Sequence, residues 1–248
     1  MTALSVNLNK IALIRNSREG NYPNIIEHAQ LCIDQGAEGI TVHPRPDQRH
    51  IRPDDVRQLA TLLNGNTNVE FNIEGNPFAP AIADYPGFVA LVEETRPHQC
   101  TLVPDGDDQL TSDHGFDLTS SGEALVPIIQ RLKSQGMRIS LFMDPDLEQI
   151  RLASQIGADR IELYTGPYAA AWGSSHMNNI FQQHLAAAEL ATELGMGVNA
   201  GHDLNLDNLK QFASIPNLLE VSIGHAFTVD SLAMGMGNAV LAYKALLA

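Results

Sequence analysis

The chain has 248 residues, 44% hydrophobic and 18% charged, with a formal net charge of -14. That length can bury a large core and matches the usual size of an eight-fold β/α barrel. The acidic balance argues against a nucleic-acid partner, which usually selects a basic face, and no apolar run approaches the length of a membrane span.

Short apolar runs alternate with helical patterns from end to end, the signature of a parallel sheet. The predicted strands are Leu4–Leu8, Gly39–His43, Asn68–Ile73, Gln99–Val103, Arg138–Met143, Arg160–Tyr164, Gly197–Ala200 and Glu220–Ile223. Between them, the segment Asn24–Gln35 carries Ile25, Ile26, Ala29 and Ile33 on a helical period and stops at Gly36. Pro53 opens a second helix that continues over Asp54–Leu63. Further helices are predicted over Gly122–Gln135, Asp146–Ile156, Ser174–Leu194 and Asp230–Leu247. Eight strand units favour a closed barrel over an open doubly wound sheet, and no GxGxxG follows the first strand. The predicted fold class is therefore α/β, a single-domain (β/α)8 barrel over 1–248 with extra loop or helical insertions at its C-terminal mouth. Two stretches break the rhythm, Gly75–Gly87 after strand three and Asp105–Asp117 after strand four. Each reads either as a surface excursion or as a functional loop over the mouth.

The two cysteines, Cys32 and Cys100, form no CxxC pair, and each falls within an apolar segment. Buried thiols in a reducing compartment are expected rather than a disulfide. The start Met1-Thr-Ala-Leu-Ser-Val lacks the basic and apolar regions of a signal peptide, so a cytoplasmic location is expected.

In a closed parallel barrel the C-terminal strand ends share one mouth, where chemistry is done. Polar residues at those ends are the candidate site. His43 ends strand two and opens the cluster His43-Pro-Arg-Pro-Asp-Gln-Arg-His50. Its imidazole can move protons near neutral pH, and Arg45, Arg49 and His50 offer donors to phosphate or carboxylate. Glu70 shares one strand face with Asn68 and Asn72 by two-residue alternation, and a polar face is cheaper inside the barrel than against the helices. It reads as a general base near His43 or as a buried carboxylate paired for structure. Glu74 is the rival carboxylate on the same alternation, with a loop role as the other reading. His202 and His225 follow Gly201 and Gly224 at the ends of strands seven and eight, where barrels often bind phosphate. Asn7 and Asn9 alternate at the end of strand one, with Lys10 next, and either orient a polar substrate or cap the strand. No HxH or HExxH spacing suggests a metal, and no GxSxG elbow suggests a serine hydrolase.

The segments Val6-Asn-Leu-Asn-Lys-Ile-Ala12, Arg15-Asn-Ser-Arg18, Gly39-Ile-Thr-Val-His43, Asp47-Gln-Arg-His-Ile51, Val198-Asn-Ala-Gly-His202 and Ile223-Gly-His-Ala226 resemble the pyridoxine 5'-phosphate synthase family of the vitamin B6 pathway, in order and spacing along nearly the whole chain. The resemblance implies a (β/α)8 barrel that assembles into a homo-octamer. It implies condensation of 1-deoxy-D-xylulose 5-phosphate with 3-amino-2-oxopropyl phosphate to give pyridoxine 5'-phosphate, phosphate and water, with no metal or organic cofactor. It implies His43 and Glu70 as proton acceptors, His202 as proton donor and Glu162 as transition-state stabiliser. Asn7, Arg18, Arg45, His50 and Thr111 would hold substrate, and Gly224 and His225 a phosphate. The chain departs from the family pattern at Asn9 and Lys10, where Asp and His are usual, at Tyr164, where His is common, and at Asp203, where Gly is usual. Asn9, Lys10 and Asp203 are kept as substrate-binding candidates, and the Gly75–Gly87 stretch looks like an insertion expected to border the mouth or a subunit contact.

Overall fold

Alternation along each strand sorts the side chains of this chain into two environments, and a computed structural model describing residues 1–65, 68–106 and 108–248 shows both. The strands are β1 (Ala3–Asn7), β2 (Gly39–Val42), β3 (Glu70–Gly75), β4 (Gln99–Leu102), β5 (Arg138–Met143), β6 (Arg160–Tyr164), β7 (Gly197–Gly201) and β8 (Leu218–Ile223). They pair in parallel in sequence order, and β8 returns to β1 to close the barrel. The outward set includes Leu4, Val6, Ile40, Val42, Phe71, Ile73, Leu141, Leu163, Val198 and Val221, all fully buried under the helices. Burying each such side chain contributes about 1.5–3 kcal/mol. The hydrophobic core is thus the ring between sheet and helices.

The lumen is polar. Ser5 and Thr41 hydroxyls lie 2.7 Å apart, Asn72 donates to Thr41 at 3.4 Å, and Thr101 donates to Asn72 at 3.1 Å. Lower down, Gln99 and Asn199 both donate to Glu220, and the Arg138 guanidinium forks onto Glu70. Barrels are commonly filled by branched aliphatics; here hydrogen bonds between neighbouring strands and across the lumen hold the interior instead.

The helices flanking the first three strands are α1 (Asn9–Asn16), α2 (Ile25–Asp34) and α3 (Pro53–Leu63). Asn24 caps α2 by accepting from the Ile26 and Glu27 amides, and Gly36 takes the positive φ of +96° that ends the segment. After them come α4 (Phe88–Thr95), α5 (Leu118–Lys133), α6 (Leu147–Gln155), α7 (Gly166–Ala171), α8 (Met177–Glu193), α9 (Leu209–Phe212), α10 (His225–Met234) and α11 (Met236–Leu247). No helix among the described residues is long and apolar enough to cross a membrane. Cys32 and Cys100 are free and buried.

The structure adds α1, α7 and α9 to the predicted elements, begins α5 and β8 earlier than predicted, and differs from the sequence reading at these further places. Strand three begins at Glu70 and ends at Gly75, two residues later than the apolar pattern suggested. Asn9 is not on strand one but opens α1, because the Asn7 side chain accepts from its amide and turns the backbone. The last predicted helix is two: α10 starts five residues earlier, at His225, and breaks at Gly235, where φ is +84°. Phe88–Thr95 is helical although the Pro- and Gly-rich residues before it masked the period.

Candidate active site

The C-terminal strand ends surround a cavity of about 290 Å³. Of the sequence-predicted residues, Asn7, Asn9, Lys10, His43, Arg45, His50, Thr111, Glu162, His202, Asp203, Gly224 and His225 line it. Twelve side chains or glycines spread over the chain therefore meet because each ends a strand or follows one, except Glu162, which points into the lumen from the middle of β6.

Two predicted residues are elsewhere. Glu70 is the first residue of β3, in register with Gly39, four residues below the level of His43. Strands rise about 3.3 Å per residue, so it lies roughly 13 Å down the barrel. Its carboxylate is held by Arg138; burial raises its pKa, but the hydrogen bonds and charge of Arg138 outweigh this and lower it. Arg18 follows the Ser17 cap of α1 into solvent, with its guanidinium 3.5 Å from the Ser17 carbonyl.

Glu74 occupies the place expected of Glu70. It is buried at the end of β3, accepts from the Asn7 amide at 3.4 Å, and stands 3.9 Å from His43 Nδ1. Burial, then the nearby Glu162, Glu220 and Asp105 carboxyls, push its pKa well above the usual value.

His43 is itself buried, with Nε2 3.2 Å from Asp105 Oδ2. Desolvation and then the charges of Arg45, His50 and Arg49 drive its pKa well down, so the ring is neutral at neutral pH. Asn9 accepts from the His43 backbone amide at 2.8 Å and fixes the strand end. Asp105 also receives Arg45 and, at 3.0 Å, the Ser112 hydroxyl; burial raises its carboxyl, and Arg45 opposes the rise. His50 is pushed down to about 3 by burial and by Arg45 and Lys10, and its Nδ1 accepts from the Ile51 amide at 2.9 Å.

His202 stands on the opposite wall. Its Nδ1 lies 2.7 Å from Asp203 Oδ2 and its Nε2 2.8 Å from the Thr111 hydroxyl. The bond from His202 is the first cause of the lowered Asp203 pKa. Both residues have positive φ, +81° and +60°, a backbone state that non-glycine residues adopt rarely and mostly at functional sites. Tyr164 packs its ring edge-on to His202 with centroids 5.3 Å apart, which gives the aromatic residue at this departure from the family a supporting place.

Glu162 forms the floor. Burial and then Glu220 raise its carboxyl to about 8, and its Oε2 has no hydrogen-bond partner among the described residues. Gly201 is required beside it, since a Cβ there would overlap Glu162 Oε1. At the rim, Lys10 lies in the first turn of α1, and His225 in the first turn of α10. Backbone amides at such helix starts attract anions.

The two irregular stretches both reach the site. Leu110, Thr111 and Ser112 form one wall of the cavity, Arg49 donates to the Gln109 carbonyl at 2.9 Å, and Asp107 of that stretch is outside the described residues. Ile82 of the other stretch closes a side pocket of about 220 Å³ with Arg45, Pro46, Asp47 and Arg49. Asp105, Ser112 and Ser222 are site residues that the sequence reading passed over. The sole signal for Asp105 was its place just beyond a predicted strand end.

Comparison with known proteins agrees with this geometry. A family model described as pyridoxal phosphate biosynthesis protein PdxJ matches residues 4–248. A protein named pyridoxine 5'-phosphate synthase from Xanthomonas campestris pv. campestris (strain B100) is 55% identical over 252 aligned positions, covering 100% of this chain and 96% of that protein. One of the same name from Xylella fastidiosa (strain M12) is 53% identical, covering 98% of this chain and 93% of its own. Among solved structures, thiamine phosphate pyrophosphorylase from Pyrococcus furiosus superposes with a TM-score of 0.61 at 12% identity, covering 99% of this chain and 95% of that one. Phosphoribosyl anthranilate isomerase from Thermus thermophilus superposes with a TM-score of 0.59 at 15% identity, covering 99% and 98%. These two share the barrel fold. The chain belongs to the PdxJ family of pyridoxal phosphate biosynthesis proteins.

Proposed function

We propose that the chain is a pyridoxine 5'-phosphate synthase, joining 1-deoxy-D-xylulose 5-phosphate to 3-amino-2-oxopropyl phosphate by acid/base catalysis without metal or organic cofactor. The observation that carries the reading is the meeting of His43 and His202, each backed by a carboxylate, in one cavity that Lys10, Arg45 and Arg49 also line. An amine must add to a ketone, water and phosphate must leave, and a ring must close. Each step moves a proton, and several groups of different basicity around one pocket serve that need.

His43 is assigned as a proton acceptor. A neutral ring whose Nε2 proton is donated to Asp105 leaves Nδ1 as the free acceptor on the Glu74 side. His202 is assigned as proton donor: Asp203 holds its Nδ1, and Nε2 faces Thr111 at the cavity. Glu162, protonated at neutral pH, donates to negative charge developing at the floor. The starts of α1 and α10, with Lys10, Gly224 and His225, take one phosphate; Arg45 and His50 face the other. Asn7 and Asn9 orient substrate between them.

A homo-octamer in the cytoplasm is the expected setting. Leu13 and Ile14 of α1 and Val229 and Leu232 of α10 are exposed on helices that pack together, an apolar surface that self-association would cover. Mass in solution tests the assembly. Incubation of the purified chain with the two phosphorylated substrates, in chelator, should yield pyridoxine 5'-phosphate by mass and absorbance; no product would reject the assignment.

A further inference from the structure

The Gly75–Gly87 stretch follows β3, the strand between β2 and β4, and it reaches residues just beyond both neighbours. We propose that this stretch is a clip that sets the spacing of the His43–Asp105 pair, with Asn76 as its positioning residue. The inference rests on the synthase reading and deepens it.

Three observations carry it. First, the Asn76 side chain joins the stretch to Asp105. Its Nδ2 donates to the Asp105 carbonyl at 2.7 Å while its Oδ1 accepts from the Phe78 amide at 2.8 Å. Just past β4 the Val103 amide still donates to the Gly75 carbonyl at 2.9 Å; Asp105 lies two residues further, where strand pairing has ended, and Asn76 continues the link. Second, the far arm of the stretch meets the β2 side. Tyr85 is buried with its hydroxyl 3.5 Å from the carbonyl of Pro44, the residue after His43, and Ile82 lines the side pocket with Arg45 and Pro46. Ile82 and Tyr85 exchange both backbone hydrogen bonds at 2.9 Å, and the Ala79 carbonyl accepts from the Phe88 amide at 3.2 Å, so the arm is bonded to itself and to the start of α4.

Third, the pair that the clip spans is sensitive to small shifts. His43 Nε2, the Arg45 guanidinium and the Ser112 hydroxyl all converge on one Asp105 oxygen, Oδ2. His43 stands 3.2 Å from it, and a displacement of about 1 Å would take that contact out of hydrogen-bond range. With Arg45 drawing on the same oxygen, a fixed main chain at Asp105 keeps the carboxylate within reach of the imidazole. Asn76 itself does not line the substrate cavity, so it acts through Asp105 rather than on substrate.

The test is steady-state kinetics of the whole chain with Asn76 variants made alone and together with Asp105→Asn. Asn76→Ser can still accept from the Phe78 amide, as serine does in turns, but is too short to reach the Asp105 carbonyl. It should lower kcat about 10-fold, with KM for both substrates changed by less than about threefold, as a small misplacement of a catalytic group does. Asn76→Asp keeps the side-chain shape and the Phe78 bond while setting an acceptor against the Asp105 carbonyl, and should lower kcat at least as much. In the Asp105→Asn background, where the carboxylate is already gone, either Asn76 change should cost less than about threefold. Melting temperatures should fall by only about 2–4 °C, the share of one hydrogen bond. Unchanged kcat in both Asn76 variants, a loss confined to KM, or a loss of the same size with and without the Asp105 carboxylate would each overturn the inference, the last by showing that Asn76 supports the fold alone. No product from the parent chain would instead reject the synthase reading itself, and this inference with it.

Discussion

Glu70 and Glu74 share one face of β3 and lie at opposite ends of the barrel lumen, one under an Arg138 fork and the other on the wall of the cavity. Four residues of strand separate an ion-paired carboxylate from one that lines the cavity. The Glu70–Arg138 pair is partly exposed, so its contribution is modest, about 1 kcal/mol. Arg138→Ala should lower the urea midpoint by that order while leaving KM for both substrates unchanged; equilibrium unfolding and kinetics together check it.

The Asp105 carboxylate orients the His43 ring through Nε2. Asp105→Asn can still accept a hydrogen bond there, but its amide can equally present its NH2 group to the ring and invert the tautomer. It also frees Arg45 from its ion pair. Turnover should fall about 10–100-fold, mainly in kcat, with the fold intact by circular dichroism.

Gly201 lies against Glu162 so closely that no Cβ fits. Gly201→Ala should destabilise by about 1–3 kcal/mol and displace the Glu162 carboxyl, costing turnover as well. Adding Glu162→Ala makes room. Thermal melting of the double variant should recover most of the stability, whereas its activity should stay low.

Glu162 and Glu220 are carboxyls raised from 4.5 to about 8 and about 7 by burial. The unfolded chain releases these protons near 4.5, while the folded chain holds them until about 7–8. Between those values the native state binds more protons, so this share of stability is full below 4.5 and is lost as pH rises toward 8. Glu220→Gln should flatten the fall of the urea midpoint over that window; a slope equal to the parent's would show that Glu220 does not titrate there.

Thr111 ties the stretch after β4 to His202. Thr111→Val removes the hydroxyl and keeps the shape. KM should rise about 3–10-fold, with a smaller change in kcat, because one neutral hydrogen bond is worth about 1 kcal/mol.

Much of the barrel was legible because alternation and punctuation are local. Apolar runs bounded by Gly-containing turns marked the strands, and Asn24, Pro53 and Asp146 marked helix starts. The rule that strand ends share a mouth then placed most of the site. What failed was register. Val69-Glu-Phe reads as mid-strand by hydrophobicity, yet pairing with Gly39 makes Glu70 the first residue of β3. A slip of two residues keeps the facing and changes the depth, so Glu70 points inward and lies below the residues that line the cavity. Asp105 was hidden for another reason: its importance comes from His43 and Arg45, sixty or so residues away, and no local pattern reports such a partner. Arg18 matched a family motif, and the motif carries no information about which side of a helix cap meets solvent.

The most direct measurement is formation of pyridoxine 5'-phosphate from the two substrates by the parent chain, His43→Asn, His202→Asn and the double variant. The parent should be active, each single variant should lose about 100-fold or more, and the double should lose far less than the product of the two, as groups serving one reaction in one cavity do. Either histidine variant turning over at the parent's rate would contradict the shared acid/base site.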